Sequence, residues 1–597
     1  MLRRACGALP DNRSDQVPVA RETTMNRIEL DDTVQNDDAP AHGVTPAPLA
    51  SLLAASLAAC GGSGADAPAP APSPPPPSST VTAPEAVRFL TQASFGATDA
   101  AISGVIASGY AGWIEAQFAQ PQTLHRAYVE SVIDPAQPQQ NYRDFVLDSF
   151  WRQAITGADQ LRQRVAFALS EIFVVSQLTG TINQRPRGLA DYLDMLGREG
   201  FGSFRTLLER VSLHPIMGLY LSHLRNQKED PATGRVPDEN YAREVMQLFT
   251  IGLYQLNADG SDRLNGQGER IATYGNDDVT GLARVFTGWS WAGPDTSGQR
   301  FFGGAADPDR DVLPMQGYPQ YHSTAEKRFL GVTIPANTGP TESLRIALDT
   351  LANHPNVGPF FGRQLIQRLV TSNPTPAYVG RVAAAFNDNG RGVRGDLKAV
   401  LRAVLLDNEA RGATGLADPQ FGKLREPVLR LAAWARAFKA TSTSGGWRIR
   451  STSDASTQLG QTPLRAASVF NFFRPGYVPP NTSIAAAGLV APEFQIAGET
   501  SVAGYLNYMR NVITNGAGAG TDVRSAYTDE IALATDPQRL VERVELLLTG
   551  SQLASATRTA IRDAVAAIPA ESANAAANRA RLAVFLVMAA PEFIVQS

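Results

Sequence analysis

Five side chains in this 597-residue chain have the types and spacing of a reaction centre: Arg243 and Glu244 in one segment, His322, Glu326 and Lys327 in another. Glu244 or Glu326 would serve as general base, His322 as acid or metal ligand, and Arg243 or Lys327 as stabiliser of developing negative charge. His322 and Glu326 lie four apart, so a helix would place both on one face at a spacing that suits metal ligands. Pro319 before them and Arg328 to Gly331 after them fit a loop entering a strand, where the spacing carries no chemistry and the histidine is structural. Two further groups carry the alternating oxygen ligands of calcium loops: Asp307, Asp309 and Asp311, and Asp259 with Asp262. Neither ends in the bidentate glutamate of an EF-hand, and solvated Asx turns explain both equally. No cofactor is predicted; a structural calcium or a catalytic divalent metal is left open. Trp289 and Trp291 either wall a sugar or aryl site, with Asn240 and Arg284 as polar partners, or cap the core.

The element that must position Glu244 is the segment from Asp238 to Gly252. Asp238 is a good N-cap, Glu239 suits the positive end of the helix dipole, and Gly252 sits where a left-handed cap belongs. Tyr241, Val245 and Leu248 recur at helical spacing and are predicted to face a core, with Glu239, Arg243 and Gln247 stacked on the neighbouring face. Polar groups beside a buried seam must be paired, so this helix either anchors an ion-pair network or lines a site.

Elsewhere the chain reads as mainly α. Thr82-Ala-Pro-Glu85 is a capping box, and Thr98-Asp99 caps a second helix. Helical patterns follow at 140–155, 159–177, 188–198 and 202–212, then at 277–287, 342–353, 357–370, 376–388, 394–407 and 423–440. Leu161 to Phe173 is the cleanest of them, with one apolar and one basic face. The predicted architecture is a multi-helix body in two lobes, 82–252 and 340–597, joined by a loop-rich 253–339 with few short strands. The tetrapeptide Ala-Pro-Glu-Phe at 491–494 and 590–593 has no surrounding period and reads as chance.

Hydrophobic content of 43% and charge content of 18% describe a folded globular body. A net charge of -4 argues against a general nucleic-acid binder. Zinc-protease, phosphate-loop, serine-elbow and dinucleotide fingerprints are all missing. Both cysteines, Cys6 and Cys60, precede residue 82, which excludes a disulfide or thiolate chemistry from the body.

Leu49 to Ala59 is an apolar run of signal-peptide length, and Leu57-Ala58-Ala59-Cys60 resembles the bacterial lipoprotein box. Residues 1–60 are thus predicted as leader, with Cys60 the acylated residue, and 61–81 as a flexible Ala/Pro/Ser-rich tether. Such a protein is exported and lipid-anchored, at the periplasmic face of the outer membrane or the cell surface. The nearest upstream basic residue is Arg27, with Asp31, Asp32, Asp37 and Asp38 between, which departs from the usual signal and leaves the true start open.

Glu239-Asn-Tyr-Ala-Arg-Glu244 followed by Leu248-Phe-Thr-Ile-Gly252 resembles the signature of a large bacterial family, domain of unknown function 1800. Arg88 to Gly96, Asp277 to Trp289, His322 to Gly331, Asn353-His-Pro355 and Pro591-Glu-Phe593 resemble its other landmarks in order. Ser323 stands where the family usually has Asp, and Gln247 where Glu is common. The resemblance implies an exported protein, often encoded beside a secreted protein similar to phosphatases and sulfatases. With the tether and the missing catalytic motifs, two functions are expected: a binding or accessory scaffold for such a partner, or an extracytoplasmic hydrolase, with or without a metal, on envelope or extracellular polymer. The lipid anchor has its own test. Metabolic labelling with a palmitate analogue tags the wild-type protein and not Cys60→Ser; equal labelling of the two contradicts acylation at Cys60.

Overall fold

The helix starts that the sequence announces are built as capping chemistry requires. Thr82 Oγ1 accepts from Glu85 N while Glu85 Oε2 accepts from Thr82 N at 2.8 Å, opening the helix Ala83–Ala93. Thr98 accepts from Ala101 N and opens Asp99–Ala119. The computed structural model describes residues 81–134, 142–305, 307–413 and 417–597, so the leader, Cys60 and the tether up to Ser79 lie outside the described residues. The described residues belong to one compact unit. It is mainly α, and among the described residues the strands pair only in two-stranded sheets. A continuous hydrophobic core takes side chains from Ala86 to Phe593, including Val279, Trp289 and Phe329 of the middle region.

The helix expected over 159–177 is Gln160–Ser170 and stops early. The apolar run continues, and Ile172, Phe173, Val174 and Val175 are all buried. Side chains instead take the carbonyls beyond the helix end: Arg368 Nη2 donates to Glu171 O at 2.8 Å and the Tyr192 hydroxyl to Phe173 O at 2.8 Å. Tertiary donors thus replace helical ones.

The Asp238–Gly252 segment is a helix of two kinds. Asn240–Glu244 is α, and Val245–Thr250 widens into a π turn, with Ile251 N donating to Met246 O at 2.9 Å. One residue per turn more than the α repeat rotates the buried face. Tyr241 and Val245 point into the core as expected, but the core positions that follow are Met246, Phe249 and Thr250. Leu248 is left half-buried. Gly252 adopts φ +71°, the left-handed stop that its position predicted.

The middle region is ordered by pairing. Bridges Tyr254↔Ala272, Leu256↔Asp262 and Leu264↔Arg270 lace 253–274 into a narrow ribbon. The helix Asn276–Val285 follows, then two hairpins: Trp289–Ser290 with Gln316–Gly317, and Lys327–Phe329 with Val332–Ile334. A Cβ at Gly281 would lie 1.7 Å from Arg328 O, so only glycine lets that helix lie against the second hairpin.

Candidate functional site

The landmark segments of the middle region bind each other. His322 follows the turn Pro319–Tyr321 and leads towards a strand, which settles the choice between helix and loop in favour of the loop. His322 Nδ1 lies 2.8 Å from Thr287 O, so this nitrogen carries the proton, while Nε2 faces Ser343 Oγ at 3.2 Å. Burial pushes its pKa down to about 4, which keeps the ring neutral. Ser323 donates to Glu229 Oε1 at 2.8 Å. The buried Lys327 ammonium donates to Ser323 O at 2.9 Å and Ala325 O at 3.2 Å, and burial lowers its pKa against the opposing Glu229. His322 and Lys327 therefore belong to one buried knot that fastens a loop.

The other three candidates lie apart from it. Glu326 is exposed and pairs with Arg328 at 2.6 Å, its backbone carbonyl accepting from Arg284. Arg243 pairs with Glu239 at 3.4 Å along the helix surface. Glu244 is mostly buried with Oε2 unpartnered, and burial raises its pKa to about 7 against the pull of Arg243. Its electrostatic neighbours also include Tyr220 and Tyr274; no hydrogen bond or ion pair joins it to His322. The five side chains do not form one centre.

The remaining candidates have structural partners. Asn240 donates to Ser222 Oγ at 2.8 Å. Trp289 and Trp291 are buried in the core, and the guanidinium groups of Arg185 and Arg310 stack on Trp291. Asp307, Asp309 and Asp311 diverge to Arg300, Arg187 and Arg185. Asp259 accepts from Ser261 N at 3.0 Å in an Asx turn beside Asp262. Among the described residues no three His, Cys, Asp or Glu side chains gather as metal ligands.

What the signature helix does line is a cavity of about 240 Å³. Gln247, Leu248, Gly252 and Leu253 form one wall, Phe360, Gln364 and Arg368 a second, Glu171 and Ile172 a third, and Val469, Phe470 and Pro475 the last. The π turn is what turns Leu248 towards it, and a Cβ at Gly252 would lie 2.8 Å from the Phe360 ring. Among its buried side chains Gln364 Nε2 has no hydrogen-bond partner, and Arg368 Nε and Glu171 Oε2 face only each other, at 3.9 Å.

Behind Glu171 and Arg368 lies a buried cluster that also contains Arg164, Lys423, Glu426 and Glu493. Arg164 and Lys423 both donate to Arg368 O, at 2.6 and 3.0 Å. The Lys423 ammonium lies 2.9 Å from Glu493 and 3.8 Å from Glu426, and Gln461 donates to Glu426 Oε2 at 2.7 Å. Burial, then the Glu426 charge, push the Glu171 carboxyl well above its ordinary range, which favours its neutral form beside Glu426. Burial opposes ionisation of Glu426 too, but Lys423, the Glu171 carboxyl, Arg164 and Gln461 outweigh it and hold the group below its ordinary value. One proton thus serves two carboxyls.

The sequence reading passed over all six members. Arg164 lies in the helix read as having one apolar and one basic face, Lys423 opens a segment read only as helix, and Glu493 lies in the tetrapeptide read as chance. The one available signal was that polar residues beside the signature stripe require either a network or a site; both are present, but on the elements packed against that helix.

Residues 88–595 match the profile of a family described as Protein of unknown function (DUF1800). No curated protein and no solved structure matches the chain.

Glu244 supplies a pH test. The folded protein holds its proton more tightly than the unfolded chain, so its contribution to stability is full below about pH 4.5 and is lost as pH rises through about 7. Glu244→Gln stays neutral throughout. Relative to wild type it gains on the order of 2–3 kcal/mol between about pH 5 and about pH 8 in urea unfolding. An unchanged difference across that range contradicts a carboxyl that titrates there.

Proposed function

We propose that this chain, which belongs to the family described as Protein of unknown function (DUF1800), works by binding, as an exported scaffold or accessory subunit whose cavity receives a side-chain-sized group of a partner protein. The observation that carries the reading is the cavity on the signature helix: apolar walls, and at one end the buried Gln364 Nε2 without an acceptor beside Arg368 Nε, which has no hydrogen-bond acceptor and faces Glu171 at 3.9 Å. At about 240 Å³ it falls below the roughly 300–1,000 Å³ of small-molecule pockets and suits one apolar side chain, the usual anchor of a protein interface. Gln364 Nε2 and Arg368 Nε would meet a carbonyl or hydroxyl oxygen at the inner end of that anchor. The partner expected from the family resemblance is a secreted protein similar to phosphatases and sulfatases. A lipid on Cys60 would hold the pair at the envelope.

The protonated Glu171 favours the alternative, a hydrolase, to the extent of supplying a general acid. Hydrolysis needs a second group to activate water, and Glu171 and Arg368 are the only ionisable residues that line the cavity. Glu426 lies fully buried, where no substrate reaches it. Binding is therefore the stronger reading.

Leu253, 48% exposed, stands at the cavity rim, where a charge blocks entry without disturbing the core. Affinity purification of tagged wild type from envelope extract recovers a stoichiometric partner, and Leu253→Arg, with unchanged melting temperature, loses it. Recovery of the chain alone, or equal recovery of the partner by Leu253→Arg, contradicts the proposal.

A further inference from the structure

A separate cavity of about 460 Å³ lies where the helix Glu499–Asn515 runs into the glycine-rich loop Gly516-Ala-Gly-Ala-Gly-Thr521. Its charged wall residues are Arg524 and Arg581, and no acidic residue lines it. Both cations lack a counter-charge. Arg524 donates through Nε to Thr521 O at 2.6 Å and through Nη2 to the Thr521 hydroxyl and to Gly520 O at 3.4 Å, all neutral acceptors. Arg581, on the helix Ala575–Ala589, makes no hydrogen bond or ion pair with the described residues, and its Nε is buried without an acceptor. A buried donor left unmet is costly, and a guanidinium fork is matched by the oxygens of an oxyanion. The loop is shaped around one of these groups: Gly516 adopts φ +106°, and a Cβ there would fall 2.6 Å from Arg524 Cγ.

The remaining polar walls narrow the ligand. Thr514 Oγ1 donates to Arg510 O at 2.9 Å, Ser525 Oγ to Phe438 O at 2.5 Å, and Asn515 Nδ2 to Asn511 Oδ1 at 2.7 Å. The Thr521 hydroxyl is taken up by Gly520 O and Arg524. Ser525 Oγ, which accepts from Tyr527 N at 3.2 Å, keeps one lone pair. That lone pair, the Thr514 oxygen and the Asn515 amide, with its carbonyl and second Nδ2 proton, suit a ligand's hydroxyl groups. The volume exceeds that of a bare inorganic oxyanion and lies within the range of small-ligand sites. We propose that this cavity binds a hydroxylated oxyanion, a sugar carrying a phosphate or sulfate monoester, with Arg524 and Arg581 on the anion and Asn515, Thr514 and Ser525 on the hydroxyls.

Calorimetric titration of the purified protein with a hexose 6-phosphate, the matching hexose 6-sulfate, the free hexose and inorganic phosphate, at fixed low ionic strength, tests it. At least one ester binds with one-to-one stoichiometry, the free hexose does not, and inorganic phosphate binds at least tenfold more weakly than the ester. Arg581→Met and Arg524→Met, each with wild-type melting temperature, weaken the ester at least tenfold, and Arg581→Lys restores part of the loss. No binding of either ester at millimolar concentration, or affinity unchanged in both methionine variants, overturns the site. Inorganic phosphate binding as tightly as the ester overturns the hydroxylated body.

Discussion

The helix Val357–Leu369 ends inside the protein, and its last carbonyls must find donors there. A helix leaves its final C=O groups without intrahelical partners, and water does not reach these. Arg164 and Lys423 supply donors to Arg368 O, and Gln596 Nε2 supplies them to Leu369 O at 2.8 Å and Val370 O at 3.2 Å. Two of those caps are cations, which suits the negative end of the helix dipole and then demands anions in turn. Glu171, Glu426 and Glu493 answer that demand. The C-terminal strand Val595–Gln596 is held in the same place, paired with Lys423–Leu424. One buried helix end thus gathers residues spread over more than four hundred positions of sequence, and the signature helix packs beside it with a cavity between.

The charges decide what that cavity presents. Arg164, Arg368 and Lys423 face three carboxyls, and the helix end adds roughly half a negative charge of its own. Three full carboxylates would overshoot, so a proton is retained, and Glu171, the member at the cavity wall, is the one that keeps it. What the cavity presents is a neutral carboxyl, a guanidinium already engaged with Glu171 O, and an amide. Those groups hold a polar end in place. No ionised base stands free to activate water.

Much of the fold was legible in the residues themselves. Thr82-Ala-Pro-Glu85, Thr98-Asp99 and Gly252 announced helix ends by chemistry that acts within a few residues, and the structure builds all three. The site was less legible because its causes are distant in sequence. The π turn at Val245–Thr250 breaks the α repeat that placed Leu248 in the core, and nothing in the periodicity of that segment marks it. Arg164 read only as part of a basic face, because amphipathic patterning cannot know that a helix end 204 positions away in sequence will come to meet it. His322 and Lys327 had the composition of a reaction centre; their partners Thr287, Ser343 and Glu229, all distant in the chain, decided that they fasten a loop.

The shared proton is the point on which the account turns, and comparing Glu171→Gln with Glu426→Gln in urea unfolding at neutral pH measures it most directly. An amide at 171 keeps a neutral side chain beside Glu426, so this variant stays within about 1 kcal/mol of wild type. An amide at 426 strips the cations of a carboxylate, and that variant loses about 3–5 kcal/mol. Equal losses, or a greater loss from Glu171→Gln, contradict a neutral Glu171 at the cavity wall.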